Sequence, residues 1–351
     1  MSVVLGRSVL SFSIHNAQSM TTVRAISGLR TALLQRRSRL STTPSSNIQL
    51  KQQPRCRCYS TSSTSVGSSA KENSNDTTEY GVGMDQEAMM ESDLLIAVDE
   101  NDVLIPDASL SKRQGHSFTK ETPRAVLHRA FSFFLFNSRN EMLLTQRANS
   151  KITFPGVWTN TCCSHPLYDM TPNEVDVVPD AYPEFPGIKH AALRKVKHEL
   201  GIDTNKYVAH DDIHFITRFH YWAADTLSNH DDPTPWGEHE VDYILFFQTM
   251  NDDIPVNPNP DEVAEYKFVS IEELKSMMEE PGLLWSPWFR GIMDRGGWDW
   301  WADLPGSLQG KYTNPNVCFF DPPSEHVASY NLPAHDRKTG VLLTPSTSAS
   351  T

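Results

Sequence analysis

The chain has 351 residues and a formal net charge of −12, with 38% hydrophobic and 21% charged residues, enough apolar material for one sizeable core between polar ends. The charge is unevenly divided: the leader through Lys71 carries Arg and Lys but no acid, so the remainder stands at about −22. A body this acidic repels nucleic acid and excludes that class of partner, and the apolar stretches are too short and too broken by charge to span a membrane.

The leader is rich in Ser, Thr and Arg, with Arg7, Arg24, Arg30, Arg36, Arg37, Arg39, Arg55 and Arg57 spread along it. That is the composition of an organellar transit peptide. The run RCRCYSTS, Arg55 to Ser62, resembles the Arg-x-Tyr-Ser site of mitochondrial presequences and puts cleavage near Tyr59. A mitochondrial protein is the expectation; a plain disordered basic tail shares the composition, and translation from Met84 or Met89 would leave a cytoplasmic one. Five cysteines, an odd number without disulfide-like spacing, suit a reducing compartment.

Residues 72–92 are polar and acidic and read as linker, so the fold is expected to begin near Asp93. Two short strands follow in DLLIAVDENDVLIPDASLSK, with a turn at Glu100 to Asp102, and Lys112 to His116 lie in a polar loop. HRAFSFFLFNSRNEMLLTQR, His128 to Arg147, reads as a hairpin turning at Asn137 to Glu141, with a well-buried first strand. Thr153 to Pro166, TFPGVWTNTCCSHP, concentrates turn, thiol and metal-ligand chemistry in fourteen residues. Pro172, Pro179, Pro183 and Pro186 make Leu167 to Pro186 a surface loop. Gly187 to Leu200 is an amphipathic helix stopped by Gly201. Strands are expected at Ile213 to Ala224, Trp236 to Met250 and Glu265 to Val269, and a helix at Ile271 to Glu280 with Ser270 and Glu273 as its capping box. Ser286 to Leu304 is a Trp-rich helix interrupted at Gly296 and Gly297. The expectation is therefore one α/β domain over 93–304, a leader and linker over 1–92, and a C-terminal extension over 305–351 whose end is disordered.

Three histidines and two carboxylates sit where strands meet loops: His116, His128, His165, Glu238 and Glu240. Glu238 and Glu240 are two apart on a strand and share a face. Together the five make a plausible octahedral or five-coordinate site for a divalent ion; unrelated polar residues at loop edges are the bland alternative. Cys163 lies two residues before His165, where a bound or protonated imidazole would lower its pKa and suit it to act as nucleophile or as proton donor and acceptor. Cys162 points the other way in an extended segment, so parity favours Cys163 as the one sharing a pocket with His165. Lys112, Arg147 and Lys151, with Ser164 as a further donor, look like a clamp for a small anion.

Four motifs, TNTCCSHP, HRAFSFFLF, WGEHEVDYIL and SPWF, together resemble type I isopentenyl-diphosphate Δ-isomerase in order across roughly residues 93–304. The resemblance implies a Nudix-like mixed β-sheet sandwiched between helices, acting on an isoprenoid diphosphate for isoprenoid and sterol-precursor synthesis; a monomer is the expectation. It implies Cys163 and Glu240 as the catalytic pair, and His116, His128, His165, Glu238 and Glu240 as metal ligands. Glu199 would touch a second ion, Mg²⁺, carried with the diphosphate; the tight site would hold Mg²⁺, or Mn²⁺ or Zn²⁺. Lys112, Arg147, Lys151, Ser164 and Lys195 would bind the diphosphate, with Tyr221 beside the catalytic glutamate and Trp288 lining the isoprenoid pocket. Lys195 departs from the arginine common among relatives.

The helix LRKVKHELGI resembles a remnant of the Nudix box, in which hydrolytic members carry Arg-Glu-x-x-Glu-Glu-x-Gly. Here Lys195 and His198 replace two of its glutamates and only Glu199 remains. A diphosphate hydrolase and a non-catalytic metal-stabilised binding module are the rival readings, and neither needs Cys163 and Glu240 jointly.

Overall fold

The computed structural model describes residues 80–119, 122, 124–225 and 236–320. The leader, its cleavage point near Tyr59 and the end of the C-terminal extension lie outside these residues. The chain runs α1 (Gln86–Ser92), β1 (Leu94–Val98), β2 (Leu104–Ser111), α2 (Lys112–His116), β3 (His128–Phe136), β4 (Met142–Arg147), β5 (Trp158–Thr159) and β6 (Cys162–Ser164). Then come α3 (Pro186–Leu200), α4 (Thr204–Tyr207), β7 (His214–Asp225), β8 (Trp236–Gln248), β9 (Val263–Val269) and α5 (Ile271–Glu279). The last elements are α6 (Pro287–Ile292), a π-helical turn (Met293–Gly297), α7 (Trp298–Ala302), α8 (Leu304–Leu308) and β10 (Val317–Phe319). No helix among the described residues is long and apolar enough to cross a membrane.

The hairpin expected across Asn137 to Glu141 makes its turn but not its ladder. β3 and β4 pair only at Phe136 and Met142, then diverge because the TFPGVWTNTCCSHP segment wedges between them. β6 pairs with β3, Ser132 opposite Cys163, while β5 pairs with β4. Thr161 bridges the split: its hydroxyl donates to the Leu143 carbonyl at 2.6 Å and accepts from the Leu135 amide at 2.9 Å. The Asn160 side chain donates to the Phe133 carbonyl, and Thr145 donates to the Asn160 carbonyl. These local polar groups replace the missing ladder bonds of two buried strands.

The main path of the sheet is β10-β7-β8-β3-β1-β2. β8 runs parallel to β3, with Glu240 opposite His128, and antiparallel to β7, with Glu240 opposite Tyr221. Apolar residues fill both faces. Phe134, Ile244, Phe246 and Tyr221 pack with the Trp-rich helices on one side, and Phe133, Val241, Leu245 and Cys162 pack with Val196 and Leu200 of α3 on the other. This is a mixed sheet between helices, as expected.

Several local expectations need correcting. The stretch taken as linker contains α1, capped by Asp85 on the Ala88 amide and anchored by buried Met89 and Met90, a pair too short to register as a helical pattern. Lys112 to His116 form α2 rather than a loop, because Ser111 and Gln114 make a reciprocal capping box. Gly115 is needed there, since a Cβ would meet Leu95 at 2.5 Å and the His128 ring at 3.2 Å. The proline-rich excursion also reaches inward. Its buried Asp176 accepts from the Gly187 and Ile188 amides at 2.9 Å, capping α3 in place of a local side chain. Past residue 304, α8 and β10 extend the folded unit.

Asp102, expected only as a turn residue, is fully buried at the centre of a charged network. It accepts from Arg129 at 2.7 Å, from Arg218 at 2.6 Å and from the Tyr243 hydroxyl. Replacing it by Ala strands two buried guanidinium groups, so Asp102→Ala should lower unfolding free energy by about 3–5 kcal/mol. Urea denaturation reads this directly, and a change within error of zero would show that the network is not worth what its burial suggests.

Candidate active site

The pocket forms where β3, β6, β7 and β8 carry side chains onto one face of the sheet. The register places His128, Glu240 and Tyr221 in a row across three strands. Glu238 and Asp242 flank Glu240 by the two-residue repeat of β8, and Cys163 enters from β6 opposite Ser132. α2 brings His116 to the same place, and His165 follows the end of β6.

His116, His128, His165 and Glu238 offer ligand atoms that all lie within 4.8 Å of one another, and all four residues are buried. The three imidazoles meet with centroids 5.1–5.5 Å apart. His128 Nε2 is buried without a hydrogen-bond partner, which buried polar atoms rarely tolerate, and Glu238 Oε2 stands 2.8 Å from His116 Nδ1. The residues therefore fit a divalent ion. Glu240 borders the group, Oε1 standing 2.8 Å from His165 Nε2 and 4.0 Å from His128 Nε2. Burial pushes His128 down to about 4 and His165 well below the usual imidazole range, so both are neutral, as ligands must be.

Cys163 sits in a polar cradle that TFPGVWTNTCCSHP builds around it. Its thiol donates to Asn160 Oδ1 at 2.9 Å, Trp288 Nε1 donates to the sulfur at 3.1 Å, and Thr159 Oγ1 lies 3.4 Å away. Burial pushes the thiol up to about 12. This reverses the expected direction: desolvation of the thiolate outweighs its polar neighbours, so the group is a proton-loaded thiol. Cys162 turns to the other face, its thiol 3.3 Å from Glu199, as parity suggested.

Glu240 accepts a 2.5 Å hydrogen bond from the Tyr221 hydroxyl. Burial, then the charges of Glu238 and Asp242, raise the Glu240 carboxyl well above its usual range; a bound divalent ion would act the other way. Asp242, missed in the sequence, is pushed up to about 7 by burial and hydrogen-bonded to Ser132 at 2.8 Å. Its place in the EHEVD alternation could have flagged it.

The groups expected to form an anion clamp share the pocket wall. Lys112, Arg147, Lys151, Lys195 and Ser164 all belong to it. Arg147 is held by the carbonyls of Thr153 and Phe154, at 2.7 and 3.0 Å, and Lys112 by Asp93 at 3.1 Å. Glu262, also missed, is buried and pairs with Lys151 at 2.6 Å and Lys195 at 3.7 Å. Burial brings Lys151 down to about 8 against the pull of Glu262. For Lys195 burial works the same way, but Glu262 and Glu199 outweigh it and raise its pKa. Glu199 itself is not in the pocket wall: it pairs with Lys195 at 3.2 Å, beside Cys162. Trp288 lines the same pocket, edge-on to Phe154 at 5.2 Å between ring centroids.

The NUDIX domain family matches residues 181–289. An isopentenyl-diphosphate delta-isomerase of Schizosaccharomyces pombe is 43% identical over 220 residues, covering 63% of this chain and 88% of that protein. The chain belongs to the isopentenyl-diphosphate Δ-isomerase family. Within that family, the Arabidopsis thaliana chloroplastic isomerase II is 43% identical over 231 residues, covering 64% of this chain and 74% of its own. The Mesocricetus auratus isomerase 1 is 39% identical over 224 residues, with 63% and 89% covered.

Proposed function

We propose that this protein interconverts isopentenyl diphosphate and dimethylallyl diphosphate. The observation that carries the reading is that Cys163 and Glu240 line one pocket together with four cationic side chains, Lys112, Arg147, Lys151 and Lys195, and the indole of Trp288. Moving the double bond adds a proton to the terminal methylene carbon and removes one from the carbon beside the diphosphate-bearing methylene, through a tertiary cation between them. Two acid–base groups must therefore flank the chain, and water must be kept from the cation.

Cys163 and Glu240 are those groups. One delivers its proton while the other accepts the proton released, and their roles exchange in the reverse reaction. Asn160, Thr159 and Trp288 orient the thiol, and Tyr221 orients the carboxylate. Trp288, nearly fully buried, shields the cation and faces it with a π-system. Lys112, Arg147, Lys151, Lys195 and Ser164 grip the diphosphate, which holds the five-carbon chain in register with both proton-transfer groups. His116, His128, His165 and Glu238, with Glu240 at their edge, would hold Mg²⁺, Mn²⁺ or Zn²⁺, and Mg²⁺ would accompany the diphosphate. A divalent ion there supplies positive charge that favours the ionised form of the neighbouring carboxylate.

Hydrolysis of a diphosphate is the competing activity for a Nudix scaffold. The structure places Lys195 in ion pairs with Glu199 and Glu262 and His198 3.3 Å from Glu262, where the hydrolytic box would supply glutamates. Incubating the protein with isopentenyl diphosphate and Mg²⁺ should yield dimethylallyl diphosphate with no release of phosphate. Phosphate release without the isomer would overturn the proposal.

A further inference from the structure

β10 lays residues 317–319 along β7, with Val317, Cys318 and Phe319 in parallel register with Arg218, Phe219 and His220. The Phe320 amide donates to the His220 carbonyl at 3.0 Å, and the Phe320 side chain then turns into the core, 1% exposed. Its ring stacks on Tyr221 with centroids 5.5 Å apart and planes 11° from parallel, and meets Phe219 edge-on at 5.0 Å. The Arg295 guanidinium lies 4.4 Å from the ring centroid. Gly291 leaves the seat open, since a Cβ there would come within 2.2 Å of the Phe320 ring.

We propose that Phe320 is a positioning residue for the isomerisation: stacked on Tyr221, it fixes the phenol that holds Glu240, so the C-terminal arm through residue 320 belongs to the working active site. The inference rests on the role proposed above for Glu240. Tyr221 and Glu240 face each other on adjacent strands, and their 2.5 Å hydrogen bond sets the carboxylate's aim only while the phenol ring is held. Phe320 supplies one wall of that hold. Removing it leaves a void against the face of Tyr221, and the ring gains freedom to relax into it. Proton transfer to or from carbon is sensitive to such displacement. The cations that grip the diphosphate sit on other elements and would keep their places, so the loss should fall on turnover rather than on substrate capture.

The test compares wild type, Phe320→Ala, Phe320→Tyr, Tyr221→Phe and the Phe320→Ala/Tyr221→Phe double variant as full-length, metal-loaded protein with isopentenyl diphosphate. Phe320→Ala should lower kcat on the order of tenfold or more with KM little changed. Phe320→Tyr, which keeps the ring, should restore most of the rate. In the Tyr221→Phe background, Phe320→Ala should cost little further, because the phenol it positions is already gone. Should Phe320→Ala not unfold cooperatively, Phe320→Leu, which fills volume without stacking, takes its place in the same cycle. Unchanged kcat, a loss confined to KM, or an equal fractional loss in both backgrounds would each overturn the positioning role. A wild-type control that forms no dimethylallyl diphosphate would overturn instead the functional reading beneath it.

Discussion

Cys163→Ala should lower kcat by about 10²–10⁴-fold, the range for loss of a positioned acid–base group, while the protein stays folded. The sulfur is held by Asn160 at 2.9 Å and by Trp288 at 3.1 Å, and Cys163 lines the pocket with Trp288, where water can replace the lost thiol. Cys162→Ala is the matched control. Cys162 is buried against the α3 face, so its loss should cost stability, by about 1–2 kcal/mol for a small buried group, and leave turnover largely intact. Steady-state kinetics with thermal unfolding of both variants separates the two cysteines. Near-normal turnover of Cys163→Ala, or a collapse of turnover confined to Cys162→Ala, would reassign the chemistry to the wrong side of the strand. Glu240→Gln should match Cys163→Ala in severity, because each proton must have both a source and a sink.

Stripping divalent metal from the protein should abolish isomerisation and lower its unfolding midpoint, and readdition of a divalent ion should restore both. Three imidazoles and Glu238 converge within 4.8 Å, and with the ion gone the buried Glu238 carboxylate loses its counter-charge. Uncompensated buried charge costs about 3–5 kcal/mol. Glu238→Gln should weaken metal retention by at least about tenfold, the lower end for disturbing even a supporting partner of a ligand. Metal content after dialysis, read beside thermal unfolding, reports this without reference to activity. Acid should act in the same sense. His128 binds a proton near its ordinary pKa when unfolded but only at about 4 when folded, so the unfolded state takes up more protons between about pH 6.5 and 4 and stability falls as pH drops through that window. A metal-stripped protein as stable as the loaded one, or stability flat from pH 7 to about 4, would remove the ion from its structural role.

Residues in strands were the more legible part of the site. A period of two puts Glu238 and Glu240 on one face and divides Cys162 from Cys163, and the structure places all four accordingly. His116 was identified as a candidate but assigned to a loop, because five residues with one glycine carry no helical period. Only the Ser111–Gln114 capping box and the room left by Gly115 make α2 and bring the imidazole to Glu238. Glu262 stood in a proline-punctuated turn with nothing local to mark it. Its meaning comes from Lys151, 111 residues away, and from Lys195. Likewise, Phe320 lies in a stretch without period, and its importance is set by Tyr221 across a parallel strand pairing.

By itself the sequence determined which faces are apolar, where α3 and α5 begin and end, and which side chains have the chemistry of ligand, acid–base pair and anion clamp, because periodicity, capping and residue type are local properties. Only the tertiary structure decided that the His128–Arg147 hairpin opens to admit TFPGVWTNTCCSHP, that Asp102 and Glu262 are buried hubs, and that burial drives Cys163 towards the thiol. Those outcomes depend on what surrounds a group after the chain has closed. Desolvation and long-range pairing are properties of that enclosure rather than of any stretch of sequence.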